Sequence, residues 1–279
     1  MQKRALAIHD ISCVGRCSLT VALPVLSACG VHTSALPTAL LSTHTGEFTG
    51  YTCRDLTEDM GGIISHFDTL PLHFDGLYTG FLGSYEQIEI VGDVLTRYHK
   101  PDTLTLVDPV MGDHGRLYAT YTEQMAHGMG ELCRLADVIV PNITEACYLL
   151  DRPYEAVPDE AAVRDMMEAL AARYGCRDVV MTGISRGGLL GAACFDAATG
   201  VHGFAGGEML DGVFYGTGDV LASALLGAML CGKPVAEACG IAVDFTHEAM
   251  EHTLENGLPL RYGVAFEQAI PSLVRRLEL

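Results

Sequence analysis

Short apolar runs alternate with helix-patterned segments through the first two thirds of the chain, and this alternation limits the fold more than any single motif. Ala5 to His9, Val31 to Leu41, Gly76 to Phe81, Leu104 to Val107, Val138 to Val140 and Val179 to Thr182 read as strands. Helical spacing fills the gaps: Ser18 to Cys29, Arg54 to Phe67, a helix opening at Ser84, Tyr121 to Leu135, Thr144 to Leu150 and Asp159 to Tyr174. Strand and helix in turn predict an α/β fold, a mainly parallel sheet with helices on both faces. Pro37 is expected to break the second strand, and Asp10 to Arg16 reads as a loop. Leu189 to Phe195 and Val201 to Phe204 form a predicted hairpin around Asp196 to Gly200. Helices at Val220 to Leu230, Val235 to Thr253 and Val264 to Leu277 close the chain.

Right-handed crossovers bring the C-terminal ends of parallel strands to one edge, where open α/β sheets bind ligands. The residues after each strand are therefore the candidates. They are Asp10 and Ser12, then His44-Thr45-Gly46, then Asp108 and Asp113, then Asn142 and Glu145, and last Thr182. Each has an ordinary account alone: Asp108 before Pro109 as a turn residue, Asn142 as an N-cap, Glu145 as the end of a capping box. Four or more such groups on one edge point instead to a shared site. Asp108 and Glu145 suit Mg²⁺, held directly or through water, because this ion keeps several waters and bridges one or two carboxylates to phosphates.

Asp211-Gly-Val-Phe-Tyr-Gly-Thr-Gly-Asp219 precedes the apolar helix from Val220. Gly216 and Gly218 permit backbone angles that other residues avoid, so the N–H groups of Gly216, Thr217 and Gly218 can converge ahead of a helix N-terminus. Free donors and the positive end of the helix dipole make an anion site there. Asp219 in the first turn adds a base. A base beside an anion hole suits the deprotonation of an alcohol as it attacks a phosphate. A plain loop with Thr217 or Asp219 as helix cap is the competing account.

Two resemblances to glycine-rich nucleotide motifs fail. Gly227-Ala-Met-Leu-Cys-Gly232-Lys233 resembles a phosphate loop, but it ends a helix and is followed by Pro234 rather than Ser or Thr. Gly216-Thr-Gly218 lacks the third glycine of a dinucleotide fingerprint, since Leu221 holds that place. His9, beside Asp10, is expected to be a structural histidine with its hydrogen bonds satisfied.

The chain has 279 residues and 49% hydrophobic side chains, enough for one large α/β domain. A net charge of −18, from 17 basic and 35 acidic residues, argues against nucleic-acid binding. None of the ten cysteines forms a Cys-x-x-Cys pair; buried reduced thiols, and so the cytoplasm, are the expectation. The basic start, Met1 to Arg4, leads into an apolar stretch too short for a signal segment, and no run is long enough to cross a membrane.

Together, Asp108-Pro-Val-Met-Gly-Asp113, Pro141-Asn142-x-x-Glu145 and Gly216-Thr-Gly-Asp219 resemble the ribokinase superfamily. Ser42-Thr-His-Thr-Gly46 and Ala136-Asp137-x-x-x-Pro141-Asn142 make the chain look closest to the pyridoxal kinases, over Arg4 to about Leu230. The resemblance implies a ribokinase-like three-layer sandwich over residues 1–279, without a separate lid domain. It implies transfer of the ATP γ-phosphate to the 5′-hydroxymethyl of a vitamin B6 vitamer, with Asp219 as base and Gly216, Thr217 and Gly218 stabilising the moving phosphoryl. Asp108 and Glu145 would organise Mg²⁺ and phosphates, supported by Asp113 and Asn142, with Tyr118 and Thr182 near ATP. Asp10 or Ser12, with His44, Thr45, Gly46 and Phe81, would meet the pyridine ring. A monovalent cation such as K⁺ and a homodimer are also implied. Phe81 stands where many members have Tyr, and Val140 replaces a common Thr; both bear on vitamer preference. Phosphorylation of hydroxymethylpyrimidine, or non-catalytic binding of a nucleotide or vitamin, are the alternatives.

Overall fold

Strand β1 (Arg4–Val14) sets the plan of the molecule. Leu6 and Ile8 enter one hydrophobic core and Ala5 and Ala7 another, all fully buried. A strand apolar on both sides needs cover on both sides. A computed structural model describes residues 2–279. After β1 come α1 (Leu19–Ala28), β2 (His32–Thr43), β3 (Cys53–Asp55), α2 (Thr57–Phe67), β4 (Gly76–Thr79), α3 (Tyr85–Tyr98) and β5 (Leu104–Val107). The chain continues through β6 (Gly112–Asp113), β7 (Arg116–Leu117), α4 (Glu123–Cys133), β8 (Val138–Ile139), α5 (Ile143–Leu150) and α6 (Glu160–Tyr174). It ends with β9 (Asp178–Arg186), β10 (Leu189–Asp196), β11 (Val201–Glu208), α7 (Thr217–Leu230), α8 (Val235–Glu255) and α9 (Phe266–Arg276).

Nine strands make one sheet in the order β11-β10-β9-β8-β5-β4-β1-β2-β3. From β2 across to β9 every pairing is parallel. The hairpin β10–β11 and the short β3 add antiparallel flanks. Helices α2 to α6 pack on one face, around Met60, Val91, Met129, Leu149 and Leu170. Helices α1, α7, α8 and α9 pack on the other, around Leu26, Leu225, Phe245 and Leu273. Each such aliphatic or aromatic side chain contributes about 2 kcal/mol by leaving water. These are the three layers expected from the alternation.

The departures lie at the strand ends. Strand β1 does not stop at His9 but runs on through the expected loop to Val14. Its register against β2 shifts between His9 and Ile11, a bulge that re-aims Asp10. Pro37 does not break β2. It lies opposite His9 beside that bulge, and β3 pairs only with residues 39 to 41, so no neighbour on that side needs its missing N–H. Helix α2 starts at Thr57 rather than Arg54, because residues 53–55 are drawn into β3. Strand β9 runs four residues beyond Thr182, and the β6–β7 hairpin has too few residues to show a period. His9 is fully buried, but neither ring nitrogen has a hydrogen-bond partner among the described residues, so it is not the satisfied histidine expected. Gly80 makes room for the ring, since a Cβ there would fall 2.6 Å from it, and Tyr78 packs on it edge to face at 4.2 Å. Burial lowers its pKa to about 3, so it is neutral. All ten cysteines are free thiols.

Candidate active site

Helix α7 is interior on nearly every side, which fixes where its N-terminus points. Gly216 precedes it with φ 73°, and a Cβ there would lie 2.0 Å from the Arg16 carbonyl oxygen, so only glycine fits. No side chain caps the helix. The leading N–H groups of the Gly216–Gly218 turn are thus left for an anion, as in helix N-termini that bind phosphate.

Asp219 follows in the first turn. Part of the residue remains accessible, but protein surrounds its carboxylate. That desolvation raises its pKa to about 7; the Ser18 N–H, donating to Oδ2 at 2.9 Å, opposes the rise, and the like charge of Asp10 adds to it. A carboxylate titrating near neutrality is matched to general-base work at ordinary pH.

Strand β5 delivers Asp108, whose N–H extends the ladder to the Thr79 carbonyl at 2.9 Å. Its carboxyl is pushed well above the usual range by burial, then by the charges of Glu145 and Asp219. Glu145 closes a capping box at the head of α5. Its Oε2 accepts the Asn142 N–H at 2.8 Å, and Asn142 Oδ1 accepts the Glu145 N–H at 3.0 Å. Glu145 Oε1 accepts the Met111 N–H at 3.1 Å. Burial raises the Glu145 carboxyl despite these donors. Asp108, Glu145 and Asp219 therefore share one desolvated and mutually repelling environment, which a divalent cation would relieve. Both Glu145 oxygens already hold backbone donors, so Glu145 fits a cation through water and Asp108 directly. Among the described residues no three His, Cys, Asp or Glu side chains form a ready metal cage. Such a cage is not required where substrate phosphates complete the coordination.

The remaining candidates have definite places. Asn142 Nδ2 donates to the Gly112 carbonyl at 2.9 Å and the Gly115 N–H donates to Thr144 Oγ1 at 2.9 Å, so α5 holds the β6–β7 hairpin. Asp113 is exposed on that hairpin and accepts the His114 N–H at 2.7 Å. Tyr118 follows it; the residue is 40% exposed, and burial, then the charges of Glu145, Asp113, Asp108 and Asp219, push its hydroxyl up. The Thr182 N–H donates to the Pro141 carbonyl at 3.0 Å, which sets Thr182 beside Asn142.

On the β1–β2 side, Asp10 and Ser12 are buried together, with Ser12 Oγ 3.5 Å from Asp10 Oδ2. Burial raises the Asp10 carboxyl, against a hydrogen bond from Ser18. His44 spends both ring nitrogens within the protein. Nε2 lies 2.5 Å from the Arg261 carbonyl, and Nδ1 accepts the Gly46 N–H at 3.1 Å, which assigns the proton to Nε2. Its face stacks on Tyr215 at 5.2 Å. Gly46 must be glycine, since a Cβ would fall 2.4 Å from the Tyr215 ring. Thr45 is exposed beside it, and Phe81 is half-buried against Tyr121 at 5.9 Å. Of the predicted residues, Asp219 is tied to Asp10 through Ser18 and lies close enough to Asp108 for its charge to be felt there, with Glu145 beside Asp108. Ser18 and Tyr215 were missed. The single signal at Ser18 was a helix-capping residue type, which hid its contacts with Asp10 and Asp219.

The phosphomethylpyrimidine kinase family profile matches residues 22–261. A candidate phosphomethylpyrimidine kinase from Bacteroides thetaiotaomicron, solved in a form with pyridoxal, is 34% identical with a TM-score of 0.93, over 98% of this chain and 96% of that one. A pyridoxal kinase from Lactobacillus plantarum is 33% identical with a TM-score of 0.91, over 99% and 98%. A pyridoxine/pyridoxal/pyridoxamine kinase from Bordetella pertussis is 28% identical over 266 residues, 87% of each chain.

Proposed function

The chain belongs to the phosphomethylpyrimidine kinase family of phosphotransferases, with a ribokinase-like fold, and within it we propose that this protein phosphorylates the 5′-hydroxymethyl group of a vitamin B6 vitamer with ATP. The observation that carries the reading is Asp219, poised near neutrality beside the uncapped head of α7. A solved relative at 34% identity taken in a form with pyridoxal supports the choice of acceptor.

In this reading the acceptor lies between Asp10, Ser12, Thr45, Gly46, Phe81 and the His44 face, with its hydroxymethyl toward Asp219. Asp219 takes the hydroxyl proton, which contributes about 10²- to 10⁴-fold. The Gly216–Gly218 turn meets the charge on the transferring phosphoryl group, and each such donor contributes on the order of 10²-fold. Asn142, Thr182 and Tyr118 line the nucleotide side, with Asp113 at its rim. Asp108 and Glu145 would hold Mg²⁺, which when bound neutralises phosphate charge and aligns the γ-phosphate. A K⁺ requirement, a homodimer and a cytoplasmic setting belong to the same proposal, as does action of residues 1–279 as a single kinase domain. No helix among the described residues is long and apolar enough to cross a membrane.

A relative from Rhizobium meliloti at 27% identity, a hydroxymethylpyrimidine/phosphomethylpyrimidine kinase, supports a second acceptor, hydroxymethylpyrimidine, also an aromatic hydroxymethyl compound. The purified protein, given ATP–Mg²⁺ and in turn pyridoxal, pyridoxamine, pyridoxine and hydroxymethylpyrimidine, is expected to show its highest kcat/KM with a B6 vitamer. Turnover of hydroxymethylpyrimidine alone would move the assignment to the second reading. Turnover of none would refute both.

A further inference from the structure

Ser18 breaks two local rules at once. Its backbone sits at φ 54° and ψ −129°, where glycine is at ease and a side chain is strained. It also stands at the N-cap of α1, where a serine hydroxyl normally accepts a first-turn N–H, yet it makes no such bond. Its hydroxyl instead donates to Asp10 Oδ1 at 2.6 Å, and its N–H donates to Asp219 Oδ2 at 2.9 Å. One residue therefore touches both carboxylates, eight positions back and 201 positions ahead in the chain. The strain is held from outside. An antiparallel bridge pairs Ser18 with Ile11, the Arg16 N–H donates to the Tyr262 carbonyl at 2.9 Å, and the Arg16 carbonyl is wedged against Gly216 and Gly263. A Cβ at either glycine would come within 2.0 or 2.7 Å of that oxygen.

We propose that Ser18 is a positioning residue that locks Asp10 and Asp219 into one rigid unit, so that an alcohol seated against Asp10 meets a base already aimed at its hydroxyl. The inference rests on the reading of Asp219 as the base of an alcohol kinase. A glycine at position 18 would relax the backbone and could keep the N–H, so folding alone gives no reason for serine here. The hydroxyl is the part that folding does not need and that Asp10 uses. The same link accounts for a strained turn placed directly under the head of α7, where unstrained chain would leave the base free to drift.

The test is steady-state kinetics on the full chain with ATP–Mg²⁺ and the best acceptor, for the parent, Ser18→Gly, Asp10→Ala and the double variant. Ser18→Gly is expected to melt at or above the parent temperature, to leave KM for ATP unchanged, and to lower kcat/KM for the acceptor about ten- to a hundredfold. In the Asp10→Ala background the same change should cost little more, because the hydroxyl has lost its partner. Parent-like acceptor kinetics in a folded Ser18→Gly would overturn the proposal. So would full additivity of the two substitutions, or a loss spread equally over ATP and acceptor, as a purely structural role gives. Should Ser18→Gly not fold, Ser18→Ala takes its place with the same expectations, and failure of both to fold would assign Ser18 to the fold and overturn the proposal. A parent that phosphorylates no alcohol brings down the functional reading and this inference together, whereas an active parent with an indifferent position 18 brings down the inference alone.

Discussion

In the proposed reaction Asp219 works only when it is ionised as the alcohol arrives. With its pKa raised to about 7 in the free protein, kcat/KM for the acceptor should climb as pH passes through that value and level off above it. Asp219→Asn should remove this limb and lower kcat by about 10²- to 10⁴-fold while ATP still binds; a pH–rate profile with parallel nucleotide titration checks both. At this scale, residue type alone revealed some groups and concealed others. Asp219 was singled out because a carboxylate behind Gly-x-Gly has a chemical reason to be there. Ser18 was not, because its two functional contacts depend on where residues 10 and 219 arrive in space. Asn142 and Glu145 were legible as a capping box, and the structure shows that pair formed in full.

At the scale of elements, the turn ahead of α7 is the part with least tolerance. Gly216→Ala would place a methyl group 2.0 Å from the Arg16 carbonyl in a left-handed backbone. It is expected to cost about 1–3 kcal/mol in urea unfolding and to reduce turnover more than stability, since the displaced N–H groups are those proposed to face the phosphoryl. The strands and helices long enough to show a period were read within a few residues of their observed ends. Strand β3 and the β6–β7 hairpin escaped because two or three residues have no period to read. The overrun of β1 past His9 escaped because Asp10 and Ser12 look like loop residues, although the sheet carries them at a bulge. The Gly227 to Lys233 pattern was dismissed correctly: it spans the end of α7, where Gly232 takes φ 89° as a helix stop.

For the molecule as a whole, the cluster of carboxylates carries a cost in stability. Asp108 ionises less readily folded than unfolded, so its contribution to stability falls as pH rises past the unfolded value of about 4, and the loss is complete only above its folded pKa. Asp108→Asn should therefore melt higher than the parent at pH 8, by roughly 0.5–2 kcal/mol, with the gap closing toward pH 4; calorimetry across that range checks the sign. The three layers were legible as a class because the alternation leaves few other ways to bury both faces of a parallel sheet. Helix α7 adds something that pattern could not convey. Ala222, Ala224, Leu225 and Leu226 on it have no exposed surface, and a Cβ at Gly227 would strike the Cys29 sulfur at 2.4 Å. Ordinary packing residues deep under the sheet thereby become levers on the chemistry. A selection for faster or slower turnover would find variants at such sites, far from any substrate, because one added methyl group there tips the whole rod and the acid at its tip.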